Sequence, residues 1–348
     1  MDYSHGTPFQ PDSAVLPENA TPSAIVKFLN QYVIGQDEAK RTLAVAVYAH
    51  YRKLASQGSD DVRLDKSNVL IIGPTGTGKT LLCETLSRFL EVPFVTTDAT
   101  SLAQTKYVGE EIEAILQRLL EKAGDDTVKA GRGIVFIDEI DKLKARPGEQ
   151  ARAQASSGES VQHALLKIME GYPVRLPNGR HIDTSGILFI CGGAFVGLEQ
   201  IMEKSHSFGY IGTGEDDNQN ILDRLNSRVK PTDLFEFGLI PEFTGRLPVV
   251  ARFQDLSKAM LVRVMTEPKN SLYHQFRQLL KSEGVELQID TAVFQQIAEI
   301  AFEYKTGARS LRGIFEELLT PVLFTVPDHK EVKKVVIKSL FEDPTYFK

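Results

Sequence analysis

The run Asn68-Val69-Leu70-Ile71-Ile72-Gly73-Pro74-Thr75-Gly76-Thr77-Gly78-Lys79-Thr80-Leu81 decides the fold: a short apolar stretch feeds a glycine-rich turn and then a helical pattern. From Gly73 to Gly78-Lys79-Thr80 the spacing satisfies the Walker A pattern in full. Glycine is wanted there because successive backbone N–H groups must point inward at phosphate oxygens, and a β-carbon would obstruct that approach. Lys79 would neutralise phosphate charge, and the Thr80 hydroxyl would hold Mg²⁺. The helix expected from about Lys79 to Leu90 adds its N-terminal partial charge to the same place.

A cradle alone implies nucleotide binding; hydrolysis needs further parts. Ile134-Val135-Phe136-Ile137-Asp138-Glu139 supplies them. Four consecutive apolar residues read as a strand buried on both faces of a parallel sheet. The acidic pair then falls at its carboxyl end, where open α/β sheets bind ligands. Asp138 is the expected Mg²⁺ partner, and Glu139 the base that polarises the attacking water. Glu139 and Asp141 also stand where the first turn of a following helix would favour acid through its dipole.

Working outward, the segments Asn68–Ile72, Pro93–Thr97 and Ile134–Asp138 read as strands that alternate with helices, including Glu110–Lys122, in βαβ units. Before them, Thr21-Pro22-Ser23 looks like a helix start, and a second helix runs to about Leu54. Beyond them come a small-residue loop at Arg146–Ser157, a helix from Gly158 to Glu170, a hairpin turning at Pro177-Asn178-Gly179 and a buried strand at Gly186–Cys191. Near Val249–Phe253 the character changes. Helical segments follow at Ser257–Thr266, Lys269–Ser282, Thr291–Tyr304 and Ala308–Phe324, then a strand at Lys333–Ile337. The polar, proline-bearing residues 1–20 show no periodicity and read as a disordered or loosely docked tail.

A chain of 348 residues with 42% hydrophobic content can bury one large and one small core. No apolar run approaches the roughly 18 residues that cross a bilayer, and the first residues lack a signal-peptide pattern, so no membrane partner and a cytoplasmic location are expected. Cys83 and Cys191 are the only cysteines, which excludes a disulfide framework and a four-cysteine zinc module. With Lys+Arg 40 against Asp+Glu 46, the mildly acidic balance argues against a surface built for nucleic acid.

Several longer strings carry a resemblance. Tyr32-Val33-Ile34-Gly35-Gln36-Asp37, Gly73–Thr80, Tyr107-Val108-Gly109-Glu110, Ile137–Lys142, Ile190–Phe195, Phe237–Pro248 and Lys305–Arg312 stand in the order of the ClpX family, the ATP-binding unfoldase subunits of the Clp protease. The chain resembles that family from residue 20 to its end. The resemblance implies an α/β fold: an AAA+ P-loop NTPase large domain over residues 21–253, with a parallel sheet flanked by helices. A small, mostly α-helical C-terminal domain over 254–348 completes it. It also implies a homohexameric ring that hydrolyses ATP with Mg²⁺ to pull protein substrates through a central pore.

By that likeness Val33 and Ile34 contact adenine, Arg246 is an arginine finger reaching a neighbouring subunit's γ-phosphate, and Arg309 is a sensor of nucleotide state. Lys106-Tyr107-Val108-Gly109 corresponds to the substrate-gripping pore loop, with Lys106 where the family has glycine. A ring of such lysines would favour acidic segments. Phe208-Gly209-Tyr210, or in another register Tyr210-Ile211-Gly212, is the nearest match to the tripeptide that docks on a ClpP-type peptidase. The family's amino-terminal zinc-binding module has no counterpart here, and its basic pore-entrance loop is shortened to Asn178-Gly179-Arg180-His181. Two alternatives share the Walker motifs: a stand-alone protein remodeller that feeds no peptidase, and a nucleic-acid motor, whose basic stripe is not evident.

Overall fold

A computed structural model describes residues 17, 20–56, 66–105, 107–144, 158–207 and 228–348. Most of the amino-terminal tail, Lys106, the small-residue loop Arg146–Ser157 and the tripeptide in either register, Phe208-Gly209-Tyr210 or Tyr210-Ile211-Gly212, lie outside the described residues.

Five parallel strands form the central sheet in the order β2-β3-β6-β1-β7: β1 Val69–Ile72, β2 Phe94–Asp98, β3 Ile134–Asp138, β6 Leu188–Gly193 and β7 Val249–Arg252. The apolar runs are continuous because both faces are covered. Leu70, Val135, Ile137, Phe189 and Cys191 face one core, while Val69, Ile71, Ile134, Phe136, Leu188 and Ile190 face the other. That alternation is the two-residue period of a strand, and each buried side chain contributes about 1.5–3 kcal/mol. The first core is closed by helices Val108–Lys122 and Gly158–Glu170, the second by Pro22–Leu29, Asp37–Ser56 and Lys79–Leu90. Cys83 and Cys191 are buried in these cores, and burial pushes both thiols up.

Local signals explain where the helices begin. Thr21 accepts a hydrogen bond from the Ala24 N–H (3.2 Å) ahead of Pro22, while Ser257 and Ser271 cap the helices Lys258–Thr266 and Leu272–Ser282. The expected hairpin forms from β4 Pro173–Arg175 and β5 His181–Asp183, with Gly179 at a φ of 81°. Its shortened basic loop is folded back: Arg180 Nη1 donates to the Asp125 carbonyl (2.6 Å).

Two parts of the sheet architecture depart from the sequence reading. Val249–Arg252 is the edge strand β7, paired in parallel with β1 in the register Val69↔Val249, rather than a mere change of character. After it, a third core from Leu256 to Ile337 is mostly helical, but it contains a three-stranded sheet, β10-β9-β8. Its strands are β8 Glu286–Ile289, β9 Lys334–Ile337 and β10 Thr345–Phe347. Only β9 was expected. Among the described residues no helix is long and apolar enough to cross a membrane.

Candidate active site

Register brings the strand ends level. Ile72 pairs with Gly193 and Ile137 with Cys191, so the segments after β1, β6 and β3 emerge side by side at the carboxyl edge. The cradle leaves β1 through Gly73, whose N–H donates to the Gly193 carbonyl (3.1 Å). A β-carbon on Gly73 would lie 2.5 Å from Cβ of Phe253, just past β7, so the edge strand dictates glycine at that point. Gly76 and Gly78 take φ values of 78° and 95°, which side chains resist. Gly78 precedes the helix Lys79–Leu90 without offering a side-chain cap, leaving first-turn N–H groups directed at the cradle.

Lys79 is buried, and its ammonium donates to the carbonyls of Gly73 (2.7 Å) and Pro74 (2.9 Å). Desolvation lowers its pKa; Asp138, Asp141 and Glu139 oppose that shift, and Arg309 adds to it. Asp138, Asp141, Glu139 and Arg309 are thus the charges that act on the lysine. Arg309 opens the helix Arg309–Thr325, and the turn before it lies on the cradle: the Ala308 N–H donates to the Gly76 carbonyl (3.0 Å). A β-carbon on Gly76 would come within 2.3 Å of the Thr306 carbonyl oxygen.

Glu139 does not begin an α-helix. Its backbone is left-handed (φ 57°, ψ 30°), its N–H donates to Asp138 Oδ1 (2.9 Å), and a four-residue 3-10 turn, Ile140–Leu143, follows. Left-handed backbone at a non-glycine residue costs about 1–3 kcal/mol and clusters at functional sites. Asp141 does stand in the first turn of that 3-10 helix, and it has a second role there. Its buried carboxylate accepts from the N–H groups of Ala194 and Phe195 (both 3.3 Å), clamping the turn after β6. A β-carbon on Gly193 would lie 2.6 Å from Asp141 Oδ1, which explains the glycine there. Sequence reasoning left Asp141 off the site, although its place beside Asp138 and Glu139 was the available signal.

Val33 and Ile34 are buried, and Val33 borders the cradle: its Cγ1 lies 4.0 Å from where a Gly78 β-carbon would be. Behind it the buried ammonium of Lys40 donates to the Val33 carbonyl (2.6 Å) and to Asn30 Oδ1 (2.8 Å). Gln36 exchanges two 2.8 Å hydrogen bonds with the backbone of Gln254, so this box also fastens the segment leading to the C-terminal core. Lys40 did not stand out in the sequence, and Gln36 did so only as part of the Tyr32–Asp37 string.

Arg246 lies apart from this group. It is not among the charges acting on Lys79; its half-exposed guanidinium bonds Glu170 through Nε (3.1 Å) and Nη2 (2.6 Å). Tyr107 is 68% exposed at the start of the helix Val108–Lys122, but Val108 is 9% exposed and packs into the core. The aromatic half of the expected gripping pair therefore faces solvent without its aliphatic neighbour.

The residues at the strand ends fit a nucleoside triphosphate: uncapped helix N–H groups, a lysine with carbonyls as acceptors, and an apolar border at Val33. No cluster of three or more His, Cys, Asp or Glu suited to a metal occurs among the described residues. Strand order, cradle and acidic pair define a P-loop ATPase of the AAA+ class. A profile of the AAA domain (Cdc48 subfamily) matches residues 64–250, and one of the C-terminal D2-small domain of ClpB protein matches residues 256–338. The ATP-dependent Clp protease ATP-binding subunit ClpX of Treponema denticola is 44% identical over 331 residues, covering 91% of this chain and 80% of that protein. The chain belongs to the ClpX family of ATP-dependent chaperones, and ATP hydrolysis is its enzymatic activity.

Proposed function

We propose that this ATPase assembles as a homohexamer, unfolds protein substrates by drawing them through a central pore, and hands them to a ClpP-type peptidase. The division of labour would run between residues 21–253, which hold nucleotide, and 254–348, which move against them. Gly73–Leu81 would hold the phosphates, with Lys79 as the counter-charge, while Val33 and Ile34 flank adenine. Thr80 and Asp138 offer the hard oxygens that Mg²⁺ prefers, and the ion would neutralise charge on the phosphate oxygens. Glu139 would take the proton of the attacking water, held in place by the Asp138 contact to its backbone. Arg309 would report nucleotide state through the turn seated on Gly76. Phe208-Gly209-Tyr210 is the segment assigned to the peptidase.

The observation that carries this reading is the division of the charges. Asp138, Glu139 and Arg309 gather on Lys79, whereas Arg246 stands outside that set, half exposed and available to a neighbouring protomer. Exposed Tyr107 supports a grip on polypeptide, because an aromatic ring gives van der Waals purchase on any sequence. Unfolded protein, and not DNA, should stimulate hydrolysis. Tyr107→Ala should hydrolyse ATP normally yet fail to unfold a stably folded fluorescent client. Wild-type unfolding by that variant, with hydrolysis intact, would sink the proposal.

A further inference from the structure

Arg246 follows the short helix Pro241–Gly245, and buried amides tie one end of that helix to the turn after β3 and the other to the sheet beside β1. At its start, the Ile240 N–H donates to Gln162 Oε1 (2.8 Å), and Gln162 Nε2 donates to the Leu143 carbonyl (2.8 Å) at the end of the turn that follows Glu139. At its end, Asn68 Nδ2 donates to the carbonyls of Arg246 (3.2 Å) and Met169 (3.3 Å), and Asn68 Oδ1 accepts from the Phe189 N–H (3.4 Å) of β6. Asn68 and Gln162 are both fully buried, and Asn68 is the residue immediately before β1. Buried amides satisfied in this way fix the pieces they join, because any slip strands a polar group away from water.

Glu170, next to Met169, completes the arrangement from the side-chain end. Its Oε1 accepts from Nε and Nη2 of Arg246, engaging one edge of the guanidinium. Of the five N–H donors on an arginine, two are occupied by this contact. Both hydrogens of Nη1 and one of Nη2 remain to meet a phosphate.

We propose that Glu170, Asn68 and Gln162 are positioning residues for Arg246, so that a protomer's own cradle and the finger it offers its neighbour move as one body. The inference rests on the reading of Arg246 as a finger acting in trans. Asn68 links the finger to the strand carrying the cradle, and Gln162 links it to the segment carrying Glu139. Glu170 restricts the guanidinium to rotamers that aim it, removing freedom a long exposed side chain would otherwise keep.

The test is a double-mutant cycle on the full-length chain, with ATP turnover, KM for ATP, assembly state and melting temperature followed together. Glu170→Ala should lower kcat about tenfold with KM changed less than about twofold and melting unchanged, since the ion pair is half exposed. Arg246→Ala should lower kcat by about 10³-fold or more. Adding Glu170→Ala to Arg246→Ala should cost nothing further, and Glu170→Asp should restore part of the rate. Gln162→Met should resemble Glu170→Ala when rates are compared at equal folded fraction. If Glu170→Ala turns over like wild type while Arg246→Ala collapses, the positioning proposal fails and the finger reading survives. A full independent loss in the double variant also overturns it, because Glu170 would then act elsewhere. A wild-type rate in Arg246→Ala removes the finger reading itself.

Discussion

On the proposed reading Lys79 and Arg246 are two cations that serve the same kind of phosphate, and the protein treats them in opposite ways. Lys79 is buried, committed to two carbonyls of its own loop and surrounded by Asp138, Asp141 and Glu139. Arg246 stays half exposed on a single carboxylate, Glu170. An ammonium loses its proton readily in a dry site, so a buried lysine needs acceptors and counter-charges built in place. A guanidinium remains charged almost anywhere and can wait at a surface. One half of the proposed site is therefore finished inside the protomer, and the other half is complete only when a second protomer arrives.

The largest expected effect separates the two cations directly. Arg246→Ala should lose about 10³–10⁵ in turnover while retaining the affinity for a fluorescent ATP analogue, whereas Lys79→Ala should lose the affinity itself. Equal loss of binding in both variants would erase the contrast.

Next in size is a test of burial at a histidine. His50 is buried and bonds the Gly186 carbonyl through Nε2 (3.0 Å); desolvation, with Lys66 and Lys53 adding to it among the described residues, holds its imidazole at a pKa of about 4 against an ordinary 6.5. Below 6.5 the unfolded chain binds a proton that the folded chain refuses, so stability falls as pH drops from 6.5 toward 4, by about 3 kcal/mol in total. His50→Gln should flatten the melting temperature against pH across that window. An unchanged slope would show that burial alone does not govern such sites here.

Smaller still is the tie between the nucleotide side and the C-terminal core. Gln36→Ala breaks two part-buried hydrogen bonds to the backbone of Gln254 and should cost about 1–2 kcal/mol, read as a lower melting temperature with Arg246-dependent turnover still present.

The cradle half was more legible in sequence than the finger half, for physical reasons. Continuous apolar strands, glycines and caps are local: β3 Ile134–Asp138 and the helix Gly158–Glu170 fall where the residue pattern places them. The missed parts depend on distant chain. β7 has only four residues and is made a strand by pairing with β1, far earlier in sequence. β8 and β10 are short edges around β9, with no long run to announce them. The role of Asp141 is set by N–H groups at 194 and 195, and the hold on Arg246 comes from Glu170 and Asn68, none of them neighbours in the chain. The left-handed backbone of Glu139 is invisible to helix-start rules, which expect a helical first turn at that point.

The central claim is that each hydrolytic site is shared by two protomers, and mixing subunits tests it most directly. Lys79→Ala and Arg246→Ala chains, each inactive alone, should recover ATPase activity when co-assembled in equal amounts, because roughly a quarter of the interfaces then pair an intact cradle with an intact finger. A mixture no more active than the sum of its two components, with assembly verified, would contradict the account.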